Sequence, residues 1–278
     1  MTRLAARLGA LTNLTHGFIY FAEEATEEYD ALGLAEHQQY FAGRAAPMGA
    51  VGPELVTATF FNFSPDRVAA AVPSCWEVAS PDEVQAARLR AAGRALAAAC
   101  GGIDGALVAE ATEIARTMAD GVTDEGKPLA AANRTVDVPD DPWIVLFQLL
   151  TIIREWRGDA HVAVLTSHAV TAVEALVLHA ATGTVPRVAL ETTRGWPAGA
   201  WDEAIDSLQE KGLVDAGGAF TDIGREFREA IEDETNRAVH PLIAAAGPEQ
   251  AQHLCDLLKP IRDALIDAGA FARVGLTR

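Results

Sequence analysis

The spacing of apolar residues along the chain predicts a mainly helical protein. Over residues 2–31, leucine and phenylalanine recur every three or four positions, which keeps one face of a helix apolar. The same spacing returns several times further along the chain. The further predicted helices cover 35–46, 80–100, 103–121, 143–156, 169–181 and 197–211.

Residues that start and stop helices support this interpretation. Ser64 and Ser80 each precede a proline, the arrangement of an N-cap followed by proline at the first helical position. Gly183 stands where a left-handed cap ends a helix, and Thr221 is placed to cap the start of another.

A stretch rich in turn formers divides the chain. It ends with Asp140, Asp141 and Pro142, residues that favour loops and domain boundaries. We therefore expect an N-terminal module over 1–120, a linker over 121–141 and a C-terminal module over 142–278.

One short pattern is written twice. Residues 49–68 read GAVGPELVTATFFNFSPDRV and residues 183–201 read GTVPRVALETTRGWPAGAW, with matching glycine, valine, proline, threonine and aromatic positions after one deletion. An internal repeat of this kind predicts two similar helix-turn-helix modules that pack face to face and leave a cleft between them.

The second copy continues into the pattern of a winged helix. The amphipathic helix over 197–211 is followed by LVD and AFT on either side of a Gly-Gly turn, which predicts a short β-hairpin before the helix at Thr221. In the first copy, residues 73–80 stand at the wing position without such a turn, so that wing is expected to be degenerate. The predicted fold is mainly α, with tandem winged-helix-like modules and a small hairpin wing in the second.

The segment KGLVDAGGAFTDIGRE resembles the winged-helix region of MarR-type regulators, in which KGL-V leads into the wing and T-x-x-G-R-E opens the next helix. This resemblance covers roughly 143–240 and implies a regulator ancestry. With YFAEE, YFAGRAAPMG, GKPLAAAN and RGDAHVA, the whole chain is also similar to a family of uncharacterised actinobacterial helix-turn-helix proteins, which implies a fold but no activity.

Charge argues against a strong DNA binder. The formal net charge is −17, whereas proteins that grip DNA neutralise phosphates with clustered lysine and arginine. The helix in the position of a recognition helix, 197–211, carries Asp202, Glu203, Asp206 and Glu210 against Lys211. DNA therefore remains a less favoured partner.

Basic and aromatic side chains at helical spacing suggest a different partner. Arginine and histidine beside apolar residues are suited to hold an anionic, partly aromatic small molecule, and we expect it in the cleft between the halves. The candidate ligand-binding residues are His16, Tyr20, Tyr40, Arg44, Phe60, Asn62, Phe63, Arg157, His161 and Trp196.

The favoured function is thus an intracellular small-molecule-binding protein of winged-helix regulator ancestry. One alternative is a ligand-responsive MarR-like transcriptional regulator, and another is an enzyme of specialised metabolism that uses His16 or His161 as acid or base, although no motif identifies a reaction or its catalytic residues. Pairing of the arginines with nearby carboxylates would explain the same helical spacing of basic residues without any ligand.

Cysteines and hydropathy add expectations about location and cofactors. Cys75, Cys100 and Cys255 form no CxxC pair, which favours a reducing cytoplasm. The longest apolar run, 143–153, is about half the length of a membrane span, so no membrane partner is expected. No metal site or other cofactor is predicted, although ligation of haem or a metal by one histidine stays open. A homodimer is also left open.

Overall fold

A computed structural model describes residues 1–271, which are mostly helical, as predicted. Sixteen α-helices follow one another, and short 3-10 helices occupy Phe18–Tyr20 and Ala46–Met48. In chain order the α-helices are α1 (Thr2–Gly17), α2 (Glu23–Ala31), α3 (Glu36–Ala45), α4 (Pro53–Phe60), α5 (Pro65–Ala69), α6 (Cys75–Val78), α7 (Pro81–Cys100), α8 (Gly105–Asp120), α9 (Pro128–Arg134), α10 (Pro142–Ser167), α11 (Ala172–Ala181), α12 (Arg187–Arg194), α13 (Ala198–Glu210), α14 (Asp222–Ala238), α15 (His240–Ala246) and α16 (Pro248–Asp267).

Local capping explains where several helices begin. The Ser80 hydroxyl accepts the backbone N–H of Glu83, whose carboxylate accepts the N–H of Ser80, so two otherwise unpaired donors of α7 are satisfied. Ser64 and Thr221 cap α5 and α14 through the N–H groups three residues on. These predicted helix starts are confirmed.

The predicted wing is not formed as a pair of strands. Within residues 1–271 the structure has no strand, and the expected hairpin is reduced to a single antiparallel bridge between Val214 and Phe220. Asp215 donates to the carbonyl of Ala219 at 2.8 Å and Thr221 to that of Leu213 at 3.1 Å, and the ladder ends there because α14 begins at the next residue, Asp222. In the first copy, residues 75–78 are helical, so no wing forms there either. The expectation of tandem winged modules is wrong in this respect.

Two hydrophobic clusters organise the packing. The larger cluster draws on α1 to α9, on α10 as far as Trp156, and on α15 and α16. The smaller cluster extends from Leu165 to Ile231 and is centred on the fully buried Trp201. The long helix α10 contributes to both clusters.

The segment predicted as a linker, 121–141, includes α9, whose Leu129 and Ala130 belong to the larger cluster. The division into modules 1–120 and 142–278 stays a prediction, and its last residues, 272–278, lie outside the described part of the chain.

In residues 1–271 no individual helix has both the length and the apolarity to cross a membrane. Two consecutive helices, Pro142–Ser167 and Ala172–Ala181, are together long and apolar enough for a membrane span, but they are bent by 105° relative to each other.

Candidate functional site

The two segments that were predicted to repeat one pattern touch at their turns. The turn between α4 and α5 lies against the turn between α12 and α13. The backbone N–H of Ser64 donates to the carbonyl of Arg194 at 2.9 Å, and the indole N–H of Trp196 donates to the carbonyl of Asn62 at 3.0 Å. We call this contact, residues 61–67 against 194–196, the seam.

The backbone on both sides of the seam has uncommon conformations. Phe61 has φ 64° and ψ −57°, and the Asn62 N–H reaches the carbonyl of Phe60 at 2.7 Å, which is a tight γ-turn that side-chain-bearing residues rarely adopt. Opposite it, Gly195 has φ 73°, and a side chain there would collide with that of Arg67. The close fit of the two turns therefore depends on the positive φ angles of Phe61 and Gly195.

A group of aromatic rings extends inward from the seam. Neighbouring ring centroids are between 4.9 and 6.4 Å apart, within the range of favourable aromatic pairs. This aromatic cluster consists of Tyr20, Tyr40, Phe41, Phe60 and Phe63.

Arg44 and Glu155 form an ion pair beside the aromatic cluster. Arg44 Nε and Nη2 donate to the two carboxylate oxygens of Glu155, each at 3.0 Å, and the guanidinium lies 4.2 Å from the centroid of the Phe60 ring. Arg154 donates to the same carboxylate at 2.7 Å. Burial opposes ionisation of Glu155, but the charges of Arg154 and Arg44 hold its pKa well below the usual value. The Glu155 carboxylate is thus fully engaged by arginines.

Arg194 differs from Arg44 because no carboxylate compensates its charge. Its guanidinium lies 4.7 Å from the centroid of the Phe63 ring, Nη1 donates to the hydroxyl of Thr193 at 2.9 Å, and the buried Nε has no partner. Burial lowers the pKa of Arg194. Neither Arg194 nor the nearby Arg67 has an ion-pair partner among residues 1–271.

His16 lies at the inner end of the aromatic cluster. Thr151 donates its hydroxyl to the carbonyl of Phe147, so it accepts from His16 Nδ1 at 2.9 Å, and His16 Nε2 in turn accepts from the Tyr20 hydroxyl at 3.0 Å. Burial, together with the charge of Arg154, lowers the pKa of His16 well below its usual value. Fully buried and neutral, His16 positions Tyr20 and offers no nitrogen to a molecule outside.

Arg157 and His161 lie in a second group, on another face of α10. Arg157 pairs with Glu232 of α14 at 3.0 Å and packs over Gly9 of α1, where any side chain would collide with it. His161 Nδ1 bonds with the hydroxyl of Thr235 at 2.9 Å, and burial lowers the pKa of His161 to about 4.

Of the ten predicted ligand residues, the structure brings eight to the seam and the aromatic cluster and places the other two with α14. Among the described residues, no hydrogen bond, ion pair or ring contact joins Arg157 or His161 to the other eight. No group of three or more histidine, cysteine, aspartate or glutamate side chains in 1–271 is arranged to hold a metal ion.

The pair α12 and α13, joined by a left-handed glycine, has the layout of a helix-turn-helix protein. The chain belongs to a helix-turn-helix family, whose model matches residues 5–272. No curated protein and no solved structure matches the chain.

Arg44 and Arg154 pair with Glu155, as in the sequence-based alternative that pairs the arginines with carboxylates, whereas the unpaired Arg67 and Arg194 were not anticipated. The signal for Glu155 was a glutamate just after the apolar run 143–153 on the same predicted helix, since a buried carboxylate needs a cationic partner. Arg67 and Arg194 carry no such local signal, because only the packing of the two turns brings them together.

Proposed function

We propose that the protein binds a small anionic, partly aromatic molecule at the seam, and that it descends from a helix-turn-helix regulator. Arg194 and Arg67 supply positive charge there, and the partly buried rings of Phe61 and Trp196 supply apolar surface above the buried Phe60 and Phe63. The ligand is held by its acidic group, with its ring against the aromatic cluster.

The observation that carries the proposal is the unpaired Arg194. A partly buried guanidinium with an unsatisfied Nε loses hydration without gaining a counter-charge, which is unfavourable unless an anion completes it. The protein has a net charge of −17, so two neighbouring arginines without carboxylates are a marked local exception. An aromatic carboxylate matches both the charge and the ring surface.

The strained turn at Phe61 adds support. Backbone in sparsely populated conformations costs about 1–3 kcal/mol and is concentrated at binding sites and switches. Phe61 links the two clusters, since it follows α4 of the larger cluster and its ring packs against the smaller cluster. A ligand at the seam therefore contacts the segment that joins the two halves.

The test is calorimetric titration with benzoate and indole-3-acetate, and with benzamide as the uncharged counterpart of benzoate. We expect the carboxylates to bind and benzamide to bind at least tenfold more weakly. Arg194→Gln should weaken carboxylate binding by roughly ten- to a hundredfold, the value of a charge-assisted hydrogen bond.

The matched control is Arg187→Gln, at the other end of α12, where the arginine is exposed and paired with Glu191 at 2.7 Å. It should leave carboxylate binding unchanged. Equal binding of benzoate and benzamide, or full affinity in Arg194→Gln, contradicts the proposal.

A DNA-binding regulator is the second candidate, favoured by membership of the helix-turn-helix family. The exposed face of α13 opposes it, because Asp202, Glu203, Asp206 and Glu210 all face solvent and repel phosphate. Under this candidate the protein is a MarR-like regulator. The observation that would support it is binding of duplex DNA by the protein.

A further inference from the structure

A second arginine without a counter-charge lies deeper in the protein. Arg88, in the middle of α7, is 3% exposed, and among the described residues it has neither an ion-pair partner nor a hydrogen bond. Its guanidinium lies over the face of the Phe147 ring, 5.1 Å from the centroid. A cation–π contact offsets only part of the cost of burying a charge.

Tyr29 brings a second unsatisfied donor to the same region. Helix α7 packs against α2, which carries Tyr29, and against α3, which carries Gly43. Tyr29 is 6% exposed, and its hydroxyl presses on Gly43 without forming a hydrogen bond in residues 1–271. Next to these two residues, Arg90 of α7 donates to Glu28 of α2 at 2.9 Å, which holds the helix positions of Tyr29 and Arg88 beside each other. Burial raises the pKa of Tyr29, so its hydroxyl keeps its proton.

The surrounding groups cannot neutralise Arg88. The charges of Arg154, Arg88 and Arg44 lower the pKa of the buried His16, and the Glu155 carboxylate opposes them. That carboxylate is already shared by Arg44 and Arg154. The interior here holds an excess of positive charge although the whole chain is strongly acidic.

We propose that Arg88 and Tyr29 form a buried binding site for a small monovalent inorganic anion, of which chloride is the representative. An N–H cation and an O–H donor without acceptors are the groups that coordinate such an ion. Because Arg88 is 3% and Tyr29 6% exposed, we expect a compact ion rather than a carboxylate-bearing metabolite. This site is separate from the seam and does not depend on the ligand proposed there.

The probes are chloride and bromide. The line width of the ³⁵Cl NMR signal, with the full chain at increasing concentration, reports exchange of chloride with a protein-bound state. Thermal unfolding in sodium bromide, compared with sodium gluconate at equal ionic strength, reports the linked stabilisation. We expect excess ³⁵Cl broadening that bromide displaces, and an unfolding midpoint that rises with bromide concentration.

Arg88→Met should abolish both effects, and its midpoint in gluconate should be at least that of the wild type, because an unpaired buried charge is gone. The control is Arg90→Met on the same helix, where the side chain is 54% exposed and pairs with Glu28 at 2.9 Å. This control should retain the broadening and the bromide response. An identical halide response in wild type and Arg88→Met, or no broadening in the wild type, overturns the proposal.

Tyr29→Phe provides an independent variant that keeps the packed ring and removes only the donor. Loss of one hydrogen bond to an anion should weaken halide binding by about tenfold. Wild-type affinity in Tyr29→Phe assigns the anion to other donors and contradicts the site as drawn.

Discussion

The indole N–H of Trp196 donates to the backbone carbonyl of Asn62 at 3.0 Å, which ties the turn before α13 to the turn after α4. The two residues lie in the two copies of the sequence repeat. Their bond is one of the few direct polar links across the seam, together with that from Ser64 to Arg194.

Trp196→Phe keeps a ring at the seam and removes this bond, so the free energy of unfolding should fall by about 1 kcal/mol. Hydrogen exchange of the Ser64 amide should accelerate, because its bond to Arg194 depends on the same contact. The control is Trp76→Phe, which removes a bond of equal length to Val51 within the first half. Accelerated exchange of Ser64 in the control as well, or in neither variant, contradicts the assignment of this bond to the seam.

Glu155→Gln leaves Arg44 and Arg154 without their shared carboxylate. Removal of one partner from a buried ion pair typically costs 3–5 kcal/mol, because the remaining charge is uncompensated, and urea denaturation measures this loss directly. Glu191→Gln, which breaks the exposed pair with Arg187, should change stability by less than about 0.5 kcal/mol. Similar small losses in both variants would falsify the interpretation that Glu155 neutralises the interior.

Gly43→Ala should destabilise the protein although alanine favours helix. The added methyl group collides with the Tyr29 hydroxyl, a contact that packing must relieve. Combination with Tyr29→Phe should recover part of the loss, whereas Gly17→Ala, where the added atom meets nothing within 4 Å, should be neutral or stabilising. Denaturation midpoints of Gly43→Ala, Tyr29→Phe, their combination and Gly17→Ala measure this coupling, and strict additivity of the first two argues against the Gly43–Tyr29 contact as its cause.

Stability should depend on pH through His161. Its pKa is about 4 in the folded chain against 6.5 for an ordinary histidine, because burial disfavours the charged ring. The unfolded chain binds this proton first, so the free energy of unfolding falls as the pH drops from about 6.5 to about 4, by roughly 2 kcal/mol for a partly exposed ring.

The pH profile of His161→Gln should lack this decline, and NMR titration of the wild-type ring should place its pKa near 4. Parallel pH profiles for the two proteins, or titration near 6.5, contradict the prediction. Groups distant from His161 cancel in the comparison, whereas Glu232 does not, because the His161 charge helps to lower its pKa.

The acidic face of α13 predicts weak DNA binding. Fluorescence anisotropy with a labelled duplex should show no binding near physiological salt, and neutralisation of Asp202, Glu203, Asp206 and Glu210 to the corresponding amides should increase binding at low salt. The prediction is reversed if the unmodified chain shows salt-dependent DNA binding and the amide variant binds no more tightly.

Sequence patterns predicted the helices well where the determining interactions are local. The capping box of Ser80 and Glu83 involves residues three positions apart, so the start of α7 follows from the sequence alone. The wing failed because the favourable Gly-Gly turn has too few flanking residues to add a second pair beyond Val214 and Phe220.

The site was harder to predict because its decisive partners are distant in sequence. Arg44 and Glu155 lie on α3 and α10, and nothing in the local pattern of either helix selects the other. Arg154, Arg157 and His161 have the spacing of one helix face in the sequence, yet Arg154 pairs with Glu155 whereas Arg157 and His161 bond to residues of α14.

The unbroken course of α10 has a mechanical consequence. A helix of 26 residues is a rod of about 39 Å, and this one anchors Phe147 in the larger cluster and Leu165 in the smaller. If either hydrophobic cluster separates from α10, apolar surface that the other cluster helps to cover becomes exposed. The two halves should therefore melt in a single cooperative transition.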